Sequence, residues 1–514
     1  MTTKNLSRAD LIRALSRWNR WGEARLDAGR PRDLTATLRR HLDSPEVIAL
    51  IGPRRAGKTT VLFQLMDALE AAGAPREALL HVNLEEPGFG AHLDLDLLER
   101  IYDTWRAEVF PEGRGWLFLD EIQRVPEWER WVRARNETED VKVFVTGSSS
   151  ALMSSELATL LTGRHLTFRV LPLSFAEVLR FRGIRPPGGS RLADDPARIR
   201  NAVAEYLRWG GFPEVVLTPD AERKKALLRQ YFDDTLFKDV ALRHEVRDLP
   251  LLRNLAVYLL GQTASLVSFQ RLANVFEISK TAVRAYCHHL EEAYLVSFLP
   301  FFSLKSAERQ RRPSKVHAVD PGLRNAISLG ATPDRGRLME TAVHNALLGE
   351  DLDGLFYWQG EGEVDFAVRR GLGIERLIQV TDEGLLEPAA RRREVEALVE
   401  AARVFPGAEP LVVAGALPPP GGGEIAVRTM ALGRFLVEGP GPVSRGVSER
   451  DGAVEPATGK VLAYLEEHPR ITRREVAALC ALTPPQASRL LRQLVTSGEI
   501  VRQGAGRGTS YSLA

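Results

Sequence analysis

The chain has 514 residues, 44% hydrophobic and 26% charged, and its 69 basic and 67 acidic side chains leave a formal net charge of +2. That length holds three or four domains with ordinary cores, and the near balance of charge excludes a uniformly basic surface, so any nucleic-acid contact must be a local patch. Two cysteines without metal-ligand spacing, Cys287 and Cys480, exclude a disulfide framework, and no apolar run forms a signal core or approaches membrane-spanning length. The expectation is a soluble, cytoplasmic protein with no membrane partner.

After a helical lead-in, the apolar run Ile48-Ala-Leu-Ile predicts a buried strand. It runs into Gly52-Pro53-Arg54-Arg55-Ala56-Gly57-Lys58-Thr59-Thr60, and Val61-Leu-Phe-Gln-Leu-Met then opens an amphipathic helix. Strand, glycine-bearing loop and helix N-terminus in that order make a phosphate-binding loop. Residues 52–60 would surround the phosphates of ATP, with Lys58 on the β/γ-phosphates and the Thr59 hydroxyl on Mg2+. The chain has ten lysines beside fifty-nine arginines, yet a lysine stands at this position.

Further along, Trp116-Leu-Phe-Leu-Asp120-Glu121 predicts a second buried strand ending in two carboxylates. Asp120 would hold Mg2+ through water, and Glu121 would orient and deprotonate the attacking water. A third strand, Val141-Lys-Val-Phe-Val-Thr146, ends in hydroxyls that could touch the γ-phosphate or cap the next helix. Arg164, in Leu-Thr-Gly-Arg, is the candidate for an arginine that stabilises transition-state charge, in cis or across a subunit interface.

The segments 52–60, Leu119-Asp-Glu-Ile-Gln-Arg-Val-Pro-Glu-Trp128, Thr146-Gly-Ser-Ser-Ser150 and Leu171-Pro-Leu-Ser-Phe-Ala-Glu177 resemble one prokaryotic group of AAA-superfamily ATPases. Trp209-Gly-Gly-Phe-Pro213, Tyr231-Phe-Asp-Asp-Thr-Leu-Phe-Lys-Asp239 and Val319-Asp-Pro-Gly-Leu323 extend the likeness, which covers roughly residues 15 to 438. The resemblance implies an α/β fold in which a P-loop AAA-type parallel sheet core is joined to a winged-helix lid and a restriction-endonuclease-like α/β domain. It also implies ATP with Mg2+ as cofactors and, by analogy with AAA relatives, a homo-oligomeric ring or a protein partner.

In the middle of the chain, three helices and two strands read as the winged helix, with Ser279 capping the third helix. The basic segment from Leu304 to Lys315, with Arg311 and Arg312, reads as a hairpin that could follow a phosphate backbone. His288 and His289 read as helix-surface positions without further ligands in helical register.

Residues 325–438 read as helix, strand, strand, helix, strand. The nuclease resemblance implies that Glu340, Asp365 and Gln379 occupy the metal-binding positions of such a centre, with Thr381 where the catalytic lysine belongs. No lysine lies between Lys315 and Lys460, so one could come only from another domain. The domain is therefore expected to keep its fold for docking or DNA contact without cutting; an active nuclease is the less favoured reading.

A Gly/Pro-rich linker follows, and the remainder resembles the winged helix-turn-helix domains of bacterial DNA-binding regulators. Gln486, Ser488, Arg489 and Arg492 would face the major groove of duplex DNA, with Arg502 and Arg507 contacting phosphate or the minor groove through the wing. The chain thus divides into a lead-in (1–45), an ATPase core with helical extension (46–250), a winged-helix lid (251–324) and a nuclease-like domain (325–438). A linker (439–457) and a winged helix-turn-helix (458–514) complete it. The expected function is ATP hydrolysis coupled to binding or remodelling of duplex or branched DNA, with an ATP-gated DNA-binding regulator as the alternative.

Overall fold

The computed structural model describes residues 6–22, 27–89, 93–148, 164–185, 196–328, 334–350, 352, 354–371, 373–417 and 427–440. In the C-terminal part it describes 461, 464–465, 468, 470–479, 487–488, 490–491, 494–495, 500–503 and 509–513. The chain divides into two compact units, Met1–Gly441 and Pro442–Ala514. No described helix is long and apolar enough to cross a membrane.

The first sheet of the larger unit is built from β1 (Val47–Ile51), β2 (Leu79–Asn83), β3 (Gly115–Asp120), β4 (Val141–Gly147) and β5 (His165–Arg169). Its order is β2-β3-β4-β1-β5, with every pair parallel. β1 and β4 are buried along their whole length, as befits parallel strands covered by helices on both faces. The carboxyl ends of β1, β3 and β4 therefore open onto one edge, where open α/β sheets bind ligands.

The helical extension does not form one core with this sheet. Helix Phe175–Phe181 and helix Pro196–Trp209 share their apolar core with residues 338–436, while Phe212 to Ala241 packs with residues 252–326. Residues 46–250 thus contribute to the two faces of this sheet and to two further cores, because the apolar faces of the later helices match the segments that follow.

The winged-helix region contains β6 (Ser265–Val267), β7 (Val296–Leu299) and β8 (Ser314–Ala318), paired antiparallel in the order β6-β8-β7. Ser279 caps the Lys280–Glu292 helix by accepting from Ala282 N at 3.1 Å. β6 was not anticipated, and the basic segment read as an open hairpin contains a short helix, Ser306–Arg311. A second mixed sheet follows, made of β9 (Gly354–Gln359), β10 (Glu363–Arg370), β11 (Gly373–Thr381), β12 (Glu409–Ala414) and β13 (Arg428–Ala431). β9 to β11 are antiparallel and β11 to β13 parallel. The strand at β9, absent from the sequence reading, forms the edge of this sheet.

Two sequence-distant turns lock these layers. Asp320 accepts from Gly211 N at 2.7 Å and from Leu323 N at 2.9 Å, and Leu173 N donates to Gly211 O at 2.7 Å. Burial pushes the Asp320 carboxyl up to about 6 against the opposing pull of these backbone donors. A carboxyl raised above its unfolded value of about 3.9 favours the folded state fully only below that value. The advantage of protonated Asp320, about 3 kcal/mol, is lost as pH rises through about 6. Denaturant unfolding between pH 4 and 7 should show this component, and Asp320→Asn should remove it; an unchanged pH slope in the variant would contradict the assignment.

In the smaller unit, β14 (Ile471–Thr472), β15 (Ile500–Gln503) and β16 (Ser510–Leu513) pair antiparallel in the order β14-β16-β15. Thr472 and Glu475 form the reciprocal cap of helix Arg473–Leu479. Val461, Leu465, Val476, Leu490, Leu491, Leu494 and Ile500 lie in its core.

Candidate functional site

The loop after β1 delivers Lys58 as the first residue of the Lys58–Ala71 helix, capped by Gly57 at φ 98, a backbone state that a side chain would strain. Lys58 Nζ donates to Gly52 O at 3.0 Å and Pro53 O at 3.1 Å and lies 3.8 Å from Glu121 Oε1. The adjoining cavity measures about 480 Å³. Its walls include Arg30, Arg54, Arg55, Lys58 and Thr59 on the basic and hydroxyl side and Asp120 and Glu121 on the acidic side.

Thr59 Oγ1 donates to Asp120 Oδ2 at 2.6 Å, and the Thr146 hydroxyl donates to Asp120 Oδ1. Burial works to raise the Asp120 carboxyl, but the His81 ring 3.7 Å away and the hydroxyls of Thr146 and Thr59 outweigh it and hold the pKa below the usual range. Asp120 therefore stays ionised. The phosphate loop, the Thr59 hydroxyl and this carboxylate together fit ATP with a divalent cation, which would be held by Thr59 and Asp120.

Glu121 follows in a left-handed conformation, φ 57, and its N–H donates to Thr146 Oγ1 at 2.9 Å. That turn aims its carboxylate away from the strand axis, a strained geometry common where a side chain must be presented. Gln123 Nε2 donates to Glu121 Oε2 at 2.5 Å and to Ser148 Oγ at 3.3 Å. Ser148 in turn donates to Asp239 Oδ1 at 2.9 Å, and Arg54 binds both Asp239 oxygens at 2.6 and 2.9 Å. Burial works to lower the Arg54 pKa, but the Asp239 pairing outweighs it and the guanidinium stays charged. A continuous polar chain thus runs from Glu121 to the phosphate loop through Asp239, which lies on a π-helical turn, Thr235–Ala241.

Asp239→Ala is expected to lower ATP turnover about 10–100-fold through misplacement of Arg54 and Ser148. Turnover with an unchanged melting curve checks it, and wild-type turnover in the variant would sink it.

Thr146, expected to touch the γ-phosphate or to cap the next helix, is hydrogen-bonded to Asp120 and to the Glu121 N–H. Arg164 needs a larger correction. It pairs with Glu137 in a separate hollow, and its neighbour His165 is in register with Val47, the first residue of β1. That is the end of the sheet opposite the phosphate loop, so Arg164 cannot reach its own chain's nucleotide. Sequence reasoning also missed Arg32, which binds Glu177 at 2.9 Å, Ala56 O at 2.7 Å and Leu171 O at 2.9 Å, bracing the loop from outside.

The positions expected of a nuclease centre come together beside β10 and β11, two interior strands of their sheet. Lys315, from β8 of the winged helix, places Nζ 2.9 Å from Glu340 Oε1, 2.7 Å from Glu363 Oε1 and 2.8 Å from Asp365 Oδ1. Val380 N donates to Asp365 Oδ2 at 2.8 Å, and Gln379 Oε1 accepts from Asp365 N at 3.3 Å. Burial and the Asp365 charge push Glu340 up to about 8. Thr381, at the expected lysine position, accepts from Gly384 N at 3.1 Å and closes a turn. The basic residue absent from this domain's own sequence is thus supplied by the neighbouring sheet, so Lys315 does not follow a phosphate backbone.

Of the proposed DNA contacts, Arg311 and Arg312 are exposed, and Arg312 stacks on Phe301 at 4.8 Å. Ser488 is half-buried, and Arg502 is exposed on β15. Gln486, Arg489, Arg492 and Arg507 lie outside the described residues. His288 and His289 do have a ligand in register, since Glu292 lies 3.4 and 3.6 Å from them, and His244 lies 3.5 Å from the same residue. The His244 and His289 rings stack 3.6 Å apart at 15°, which sets their in-plane lone pairs side by side instead of converging on one ion. Burial pushes His244 down to about 4, so it is neutral near pH 7.

Sheet order, phosphate loop and acidic strand end together define a P-loop core of the AAA class. Residues 44–179 match the family model of an AAA domain, 200–335 a domain of unknown function, and 456–500 a winged helix-turn-helix DNA-binding domain. Uncharacterized protein MJ1544 of Methanocaldococcus jannaschii is 30% identical over 366 residues, 69% of this chain and 78% of the relative. The chain belongs to the same family as that protein. An uncharacterized protein of Haemophilus influenzae is 29% identical over 289 residues, 55% of this chain and 69% of the relative. A DNA polymerase III gamma subunit-related protein of Thermotoga maritima aligns over 63% of this chain and 87% of its own at 15% identity, with a TM-score of 0.23, too low to equate the folds.

Proposed function

We propose that this protein is a cytoplasmic, Mg2+-dependent ATPase that couples hydrolysis to binding or remodelling of duplex or branched DNA. The observation that carries the reading is the polar chain Glu121–Gln123–Ser148–Asp239–Arg54. It joins the residue that would activate water to the π-helical turn leading into the winged-helix region. Lys58 and the loop amides hold the phosphates, Glu121 takes the proton of the attacking water, and Gln123 fixes that carboxylate. The cation, when bound, neutralises charge developing on the phosphate oxygens. Loss of the γ-phosphate changes what Arg54 and Ser148 face, and Asp239 passes that change to the lid. Arg164 would act only on a neighbouring subunit's nucleotide in a homo-oligomer.

ATP turnover with and without single-stranded, duplex and four-way-junction DNA, for wild type and for a chain lacking residues 459–514, tests this. Stimulation by one DNA form supports the proposal. Turnover indifferent to every DNA, with duplex binding lost on the deletion, would instead identify a tethered regulator.

A further inference from the structure

We infer that Lys315 is a built-in cation that takes the place of a divalent metal in the nuclease-like centre, turning it into an ionic latch between the winged-helix sheet and the second α/β layer. One ammonium touches three carboxyl groups on two elements, Glu340 on the Arg335–Leu348 helix and Glu363 and Asp365 on β10, at 2.7 to 2.9 Å. The oxygens that a metal would need are already committed: Asp365 Oδ1 to Lys315, Asp365 Oδ2 to Val380 N, and Gln379 Oε1 to Asp365 N. The Lys315 side chain is 3% exposed and β8 is paired on both edges, so the ammonium is buried among these groups. A divalent ion at the same point would stand within contact distance of a fixed positive charge, and like charges at that separation repel strongly in a buried site. The residues present therefore do not fit a metal, and the centre supplies cohesion between layers, not phosphodiester cleavage.

The test is Mn2+ binding counted by electron paramagnetic resonance on nucleotide-free, full-length protein. Wild type and Glu363→Gln are expected to bind the same number of ions. Lys315→Met is expected to gain one ion per chain, which Lys315→Met/Glu363→Gln binds at least about tenfold more weakly. The inference is overturned if a folded Lys315→Met gains no ion, or if wild type holds an ion that Glu363→Gln weakens. Should Lys315→Met fail to fold, wild type decides alone. Mn2+-dependent DNA cleavage by wild type that disappears in Asp365→Asn overturns the latch, whereas no cleavage and no Glu363-dependent ion uphold it.

Discussion

Lys58→Ala is expected to lower ATP turnover about 10²–10³-fold, because it removes the ammonium placed for charge that develops on the transferred phosphoryl group. Lys58 Nζ is held by two loop carbonyls, Gly52 O and Pro53 O, and its side chain is 4% exposed, so it is fixed at the mouth of the loop before any phosphate arrives. Arginine is a poor replacement, since a planar fork does not fit a point charge set between carbonyls and Glu121. Phosphate release, measured beside binding of a fluorescent ATP analogue and a melting curve, checks the prediction. Turnover within about threefold of wild type in a folded variant would show that the hydrolytic centre lies elsewhere.

The second large effect is on stability. A methyl group added at Gly322 would stand 2.1 Å from Trp209 O and 2.2 Å from Trp209 C, both backbone atoms. Neither flexible side chains nor rotamer changes can relieve that overlap, so the Pro321–Ile327 helix and the end of the Pro196–Trp209 helix must part. Gly322→Ala is expected to destabilise the larger unit by about 3 kcal/mol or more, at the upper end for overpacking. Urea unfolding followed by tryptophan fluorescence measures this; a loss under about 1 kcal/mol would mean that the two backbones are not in contact.

The parts legible in the sequence were those whose chemistry is written locally. The phosphate loop announces itself because the strand, Gly57, Lys58 and the helix are contiguous, and Asp120-Glu121 ends an apolar run. What escaped was whatever depends on pairing distant segments. Arg54 meets Asp239 185 residues away and Arg32 meets Glu177 145 residues away, and nothing local to either residue encodes the partner. The cis alternative for Arg164 could not be judged from sequence, because a residue beside a strand shows its chemistry but not the end of the sheet at which it lies. That required the parallel register of β5 on β1. Lys315 reads in sequence as part of a basic hairpin because its neighbours are basic and polar. In the fold, strand alternation turns it inward against Glu340 and Asp365.

Lys315 also restricts where the molecule can bend. β8 is hydrogen-bonded to β6 and β7 on its two edges, and through one ammonium it is tied to β10 and to the Arg335–Leu348 helix. Tilting the winged-helix sheet against the second α/β layer would strand a buried charge, so the two travel as a single lever. Under the proposed function, a stroke generated at the phosphate loop would then pivot where the nucleotide-binding sheet hands over to that lever. The stretch Leu171 to Glu177, gripped by Arg32 on one side and Gly211 on the other, lies at that handover.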